Sequence, residues 1–128
     1  MMVKNRKHSI CSTNIYTKSK ASLKYAIKTI MESPLASYVE RLILYGSCAR
    51  NQQTYNSDVD LLLVLSTKID NKKYHDELIM LKSSVIPCEL DLPEVDLTIV
   101  IGNAWESNPM LYYQNIRREG IDVWPENY

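Results

Sequence analysis

The run LYGSCARNQQTYNSDVDLLLVL, residues 44–65, constrains this chain more than any other stretch. An apolar, strand-like segment enters a Gly-Ser turn. Ten residues follow, most of them polar, and then Asp58 and Asp60 stand two positions apart at the mouth of a second, strongly apolar run. A carboxylate at the edge of a sheet core is disfavoured unless something cationic meets it. Residues i and i+2 of a strand project from one face at a separation of roughly 6–7 Å. Asp58 and Asp60 therefore share a face, with Val59 turned the other way.

Two like charges this close require a cation between them. An all-oxygen donor set suits Mg²⁺ or Mn²⁺, which keep water and phosphate oxygens in their remaining positions. A nucleoside triphosphate is the natural completing ligand. The Gly-Ser turn fits the other end of such a ligand. Gly46 permits close backbone approach, and Ser47 can open a helical turn whose N–H groups and hydroxyl point at an anion. Arg50, one turn further on, is a fork-shaped donor for a terminal phosphate.

The chain around this segment reads as an α/β (α+β) domain. Residues 1–17 mix charge, Ser, Thr and Asn without a period and read as a leader, so that the folded unit spans 18–128. From about Lys18, Leu23, Ala26, Ile27, Ile30 and Met31 recur at helical spacing, and Pro34 stops the helix. A strand is expected over Arg41–Tyr45 and a second in DVDLLLVLS, whose continuous Leu and Val mark a strand covered on both faces. Tyr74, Leu78, Leu81 and Val85 mark one side of a helix, and EVDLTIVI, closed by Gly102, is a third strand. In SNPMLYYQNIRREG, Ser107 or Asn108 is the expected N-cap, Pro109 the first helical residue and Gly120 the C-cap. The tail IDVW adds a short edge strand. Together these predict a small mixed sheet with helices packed mainly on one face.

Asp96 sits inside the third strand, on the opposite face from Val95 and Leu97. If that strand pairs beside the second, Asp96 reaches the same metals and can take a proton from an attacking hydroxyl. Asp91 and Glu94 compete for this role, but Asp96 alone lies within the apolar strand. Arg117 and Arg118 read as partners of a helix C-terminus rather than substrate ligands, His8 and His75 as surface residues, and Trp105, Trp124, Tyr112 and Tyr113 as packing or interface groups in preference to base-stacking platforms.

Composition excludes several classes. Lys+Arg and Asp+Glu balance at 15 each, so the bulk positive charge behind non-specific nucleic-acid binding is lacking and nucleic acid is disfavoured as a partner. Cys11, Cys48 and Cys88 are odd in number and lack metal-ligand spacing, which fits a reducing cytoplasm rather than a disulfide scaffold or a zinc site. The basic N-terminus has no apolar signal core. The longest apolar run, Leu61–Leu65, is too short for a bilayer, so no membrane role is expected.

Gly46-Ser47, ten residues, Asp58-Val59-Asp60 and a strand Asp96 together resemble the minimal nucleotidyltransferase (MNT) domain of the DNA polymerase beta superfamily. The likeness runs from about Lys20 to Trp124 and includes the closing IRREGIDVW. One position departs: Asn51 stands where the family commonly has glycine, and Asn tolerates a left-handed backbone better than most residues. The resemblance implies transfer of a nucleoside monophosphate, as AMP from ATP, to a hydroxyl with release of pyrophosphate. It implies two Mg²⁺ ions on Asp58, Asp60 and Asp96, with Gly46 and Ser47 at the β- and γ-phosphates. It is similar to the antitoxins of HEPN/MNT toxin-antitoxin pairs, which makes a tyrosine of a partner HEPN toxin one acceptor. Aminoglycoside-type adenylyl transfer, with a pocket completed by a homo-oligomer, is a second reading. A non-catalytic binding module is a third, and nucleotide addition to RNA ends a weaker fourth.

Overall fold

The computed structural model describes residues 17–46, 48–49, 58–89 and 91–125. Helix α1 (Thr17–Met31) buries Leu23, Ala26 and Ile30, spaced three and four residues apart so that they form one stripe. Met31 departs from the expected stripe. In the last turn it is half exposed, at 51%, because the inner face has already passed to Ile27 and Ile30. Buried Ser22 keeps its hydroxyl bonded by donating to the Pro93 carbonyl at 2.7 Å, which ties α1 to the chain entering the third strand. Ser33 folds its hydroxyl back onto the Ile30 carbonyl ahead of Pro34, and the helix ends.

A 3₁₀ turn at Ala36–Tyr38 leads into β1 (Val39–Tyr45), which begins two residues before the expected Arg41. Then come β2 (Val59–Leu65), α2 (His75–Ser84) and β3 (Val95–Ile101). A second 3₁₀ turn at Ala104–Glu106, α3 (Leu111–Glu119) and the two-residue β4 (Ile121–Asp122) complete the described chain. The sheet order is β3-β2-β1-β4, with β1 antiparallel to β2 and β4 and with β2 parallel to β3. Parallel neighbours need a crossover, and α2 supplies it. The result is the small mixed sheet with three helices that the pattern of elements predicts.

Strand β2 is the centre of the molecule. Leu61, Leu63 and Leu65 pack with Leu42, Leu44, Val59, Val95 and Leu97 under α1 and α2, forming the larger core. On the other face Leu62 and Val64 meet Ile43, Trp105 and Ile116 in a smaller one. Helices therefore lie mainly on one face, while α3 and the 3₁₀ turn beside it cover part of the other. Among the described residues no helix is long and apolar enough to cross a membrane.

The start of α3 corrects the expected N-cap, while its end keeps the expected C-cap. The helix starts at Leu111 rather than Pro109, and Asn108 instead accepts the Met110 N–H on its side-chain oxygen at 3.0 Å, closing a turn ahead of the helix. Gly120 is the C-cap, but its φ of −70° is open to any residue. Glycine is required there for space, since a Cβ would run into the Ile116 carbonyl and the Ile43 side chain.

Candidate active site

One row of residues crosses three strands at the end of the sheet where β2 and β3 begin. Tyr45, the last residue of β1, is the register partner of Asp60, and Asp60 is the register partner of Asp96. Register partners share a face, so the Asp60 and Asp96 carboxylates project side by side from neighbouring strands whose backbones lie about 4.8 Å apart. Each occupies a non-core position in an apolar segment. Asp60 is half-buried between buried Val59 and Leu61, and Asp96 is exposed between buried Val95 and Leu97.

Gly46 follows Tyr45 with φ +80° and faces the same carboxylate. A Cβ built on Gly46 would collide with the Asp60 side chain. Glycine here serves two ends: it takes the left-handed turn out of β1 and it leaves room for the carboxylate. Asp58 lies one residue before β2 and is exposed. Its backbone is held from both sides. Its own carbonyl accepts the Cys48 thiol at 3.7 Å, and the next N–H, that of Val59, donates to the Glu94 carbonyl at 2.9 Å. Asp91, the competitor for the third carboxylate, instead faces Lys18 of α1 at 3.7 Å.

The residue pattern anticipates a strand ending at a glycine and a third strand beside the second; the left-handed φ of Gly46, its closeness to Asp60 and the parallel register of Asp60 with Asp96 are what the structure adds. A family model described as polymerase beta, nucleotidyltransferase, matches residues 25–124. The chain belongs to the polymerase beta nucleotidyltransferase family. Among solved structures it is similar to a candidate nucleotidyltransferase from Sulfolobus solfataricus, at 19% identity over 88% of each chain with a TM-score of 0.55, a likeness of fold. It also aligns with a chain of a toxin-antitoxin crystal structure with AMP-PNP, at 24% identity over 79% of this chain and 71% of that one, with a TM-score of 0.48. No curated protein matches it.

In this nucleotidyltransferase domain Ser47, Arg50 and Asn51, assigned from sequence to the phosphate turn, lie outside the described residues, as does His8. Among the described residues no group of three or more His, Cys, Asp or Glu side chains is gathered closely enough to hold a metal by itself. The donor set nevertheless fits a hard divalent cation. It is all oxygen, it pairs two carboxylates in register, and it keeps a side-chain-free cradle at Gly46 beside one of them.

A neighbouring feature has no counterpart in the expectations drawn from sequence. The Tyr45 and Tyr112 hydroxyls lie 2.6 Å apart, and Tyr112 donates to the Thr98 hydroxyl at 3.1 Å. Burial, first, and then the Tyr112 hydroxyl and the nearby Asp60 charge push the Tyr45 phenol far above its ordinary range, so it stays neutral. Tyr112, expected to be a packing or interface group, is 37% exposed. Two signals pointed to the cluster: Tyr45 directly precedes the glycine, and Thr98 is the i+2 neighbour of Asp96 on the same strand face.

Arg117 and Arg118 belong elsewhere. Arg117 donates to the Trp105 and Asn108 carbonyls at 2.7 and 3.0 Å, and Arg118 to the Asn115 side-chain oxygen at 2.7 Å. Both lie in the last turn of α3, where the dipole argument puts basic residues, but their hydrogen bonds go to the segment before the helix and to a side chain rather than to its last carbonyls. Trp105 and Trp124 are both buried, and His75 is an exposed residue at the start of α2.

Proposed function

We propose that this domain transfers a nucleoside monophosphate, AMP from ATP, to a hydroxyl of a partner protein. Asp58, Asp60 and Asp96 hold divalent metal, and the turn at Gly46 and Ser47 takes the phosphate tail. The observation that carries the reading is the in-register pairing of Asp60 with Asp96 beside the Gly46 cradle. Two carboxylates side by side at the starts of neighbouring strands offer a divalent cation a favourable seat. Two bound Mg²⁺ ions would draw charge from the reacting phosphate and the leaving pyrophosphate.

Asp96 accepts the proton of the attacking hydroxyl. As the new oxygen–phosphorus bond forms at the α-phosphorus, the bond to the β-phosphate oxygen breaks and pyrophosphate departs with that electron pair. Asp96 suits the role because it is solvent-exposed and on the outermost strand of the sheet, where a large acceptor can approach. A tyrosine of a HEPN-type toxin is the acceptor suggested by the resemblance to MNT antitoxins.

The test uses α-labelled ATP with Mg²⁺ and the wild-type protein, first with a HEPN-domain protein and then with an aminoglycoside. Label on protein with release of pyrophosphate is the expected outcome. Asp96→Asn should retain Mg·ATP affinity and lose transfer by about 10²–10⁴-fold, the usual contribution of a positioned base. Undiminished transfer by Asp96→Asn would remove Asp96 from the chemistry. Label on the aminoglycoside alone would move the acceptor to the small-molecule class.

A further inference from the structure

The hydroxyl cluster on the carboxylate face spans three elements. Tyr45 comes from β1, Thr98 from β3 and Tyr112 from α3, so the cluster bridges over the intervening β2 at the border between the carboxylate row and the small apolar core. The three hydroxyls therefore occupy one another, and the cluster presents neutral groups next to two carboxylates. The Tyr45 and Tyr112 rings meet edge to face at 5.7 Å, and Tyr113 supports Tyr112 from behind at 4.9 Å. Tyr112, braced by two rings and still 37% exposed as a residue, keeps surface to receive a flat partner.

We propose that Tyr112, braced by Tyr45, Thr98 and Tyr113, is the wall that holds the nucleoside of the donor triphosphate, its ring packing on the base and the neighbouring hydroxyls facing the sugar. The inference rests on the reading of Asp58, Asp60 and Asp96 as the nucleotidyl-transfer site, and it adds the part of the donor that those residues do not touch. Gly46 immediately follows Tyr45, so a phosphate tail at the glycine turn and an α-phosphate over Asp60 and Asp96 set the nucleoside beside this row of residues. A neutral aromatic surface suits a base and a sugar, whereas phosphate would favour cationic or N–H donors. A cluster serving only to cap the core would have no reason to leave Tyr112 partly exposed.

Calorimetric titration of the full chain with Mg·ATP and, separately, with Mg·tripolyphosphate tests this. Tripolyphosphate has the phosphate tail and no nucleoside. Tyr112→Ala should weaken Mg·ATP by about tenfold, the usual effect of losing one base–aromatic stack, and leave tripolyphosphate affinity unchanged. That unchanged affinity also shows the variant to be folded. Tyr112→Phe, which keeps the ring, should stay within about threefold of wild type for Mg·ATP, whereas Asp60→Asn should weaken both ligands. Wild-type affinity of Tyr112→Ala for Mg·ATP overturns the proposal, and so does an equal loss of both ligands. Loss of acceptor transfer at unchanged Mg·ATP affinity also overturns it, by assigning the wall to the acceptor. If wild type binds neither ligand, the underlying site reading fails and this proposal fails with it. If wild type binds both and Tyr112→Ala does too, only the nucleoside wall is lost.

Discussion

The two faces of the sheet are built by alternate residues of the same strands, yet they differ in kind. Under α1 and α2 every inward residue of β2 is apolar: Val59, Leu61, Leu63 and Leu65 are all buried and pack continuously. On the opposite face the same strand offers Asp60, then Leu62, then Val64, so the face divides into a carboxylate half and a small apolar half closed by Trp105 and Ile116. Period-two alternation thus makes the first face apolar throughout and lets the second divide its length between an apolar half and a carboxylate half. A functional group can be placed at the end of a central strand with little loss of core because the other face does not depend on it.

The sharpest way to break this comparison is to remove one side chain from each face. Leu63→Ala, at a fully buried position in the larger core, should lower unfolding free energy by about 2–5 kcal/mol, the range for a cavity left by a core leucine. Asp96→Asn should leave unfolding in metal-free buffer unchanged or slightly raise it, because one of two adjacent negative charges is gone. Urea denaturation of both variants without divalent cations decides the point. Destabilisation by Asp96→Asn as large as that by Leu63→Ala would show the carboxylate half to be structural.

Two glycines sharpen the division within the second face. A Cβ at Gly120 meets Ile43 and the Ile116 carbonyl, in the apolar half, whereas a Cβ at Gly46 meets the Asp60 carboxylate and is also strained by φ +80°. Both alanine variants should lose about 1–3 kcal/mol of stability, Gly120→Ala through overpacking and Gly46→Ala through backbone strain. They part on ligand binding. Gly46→Ala should weaken Mg·ATP as well, and Gly120→Ala should bind it like wild type. Equal effects on binding would mean that the two halves of the face are mechanically one.

How much of this was legible beforehand depended on whether the signal was local. The alternation in EVDLTIV placed Asp96 opposite Val95 and Leu97 with no tertiary information, and the burial of those two neighbours agrees. The polar–apolar order in DVDLLLVL likewise placed Asp60 on a face apart from Val59. Features that depend on which segments meet were not readable in this way. Tyr112 sits in a helix whose own spacing gives no reason to distinguish it from Tyr113, and its meaning comes from Tyr45 and Thr98 on two separate strands. The cap signals around α3 misled in part for a related reason. Pro109 is a residue type that begins helices, but Asn108 forms a turn before the helix; Gly120 does end α3 as expected, though the reason is the crowding of Ile43 and the Ile116 carbonyl rather than a left-handed backbone.

Cys48 and Cys88 extend the contrast between covered and open positions, with the smallest effect. Cys48 is buried in the larger core, its thiol on the Asp58 carbonyl, whereas Cys88 is exposed. Burial raises the Cys48 pKa above that of a free thiol. The Asp60 and Asp58 charges add to this, and the neighbouring Ser19 hydroxyl opposes it. A thiol whose pKa is higher folded than unfolded holds its proton longer in the native state. Its stabilising contribution is therefore complete below the ordinary thiol range, near about 8.5, and is lost as pH rises through the folded value. For one proton the fall cannot exceed about 1.4 kcal/mol per pH unit. Iodoacetamide at pH 7.5 should accordingly label Cys88 and spare Cys48 by peptide mapping. The urea midpoint of wild type should decline more steeply between pH 8.5 and 10 than that of Cys48→Ala, which has no proton to lose there. Prompt labelling of Cys48 at neutral pH would mean that the start of β2, and with it Asp58, opens readily to solvent, so that the carboxylate end of the sheet is not held by the core beneath it.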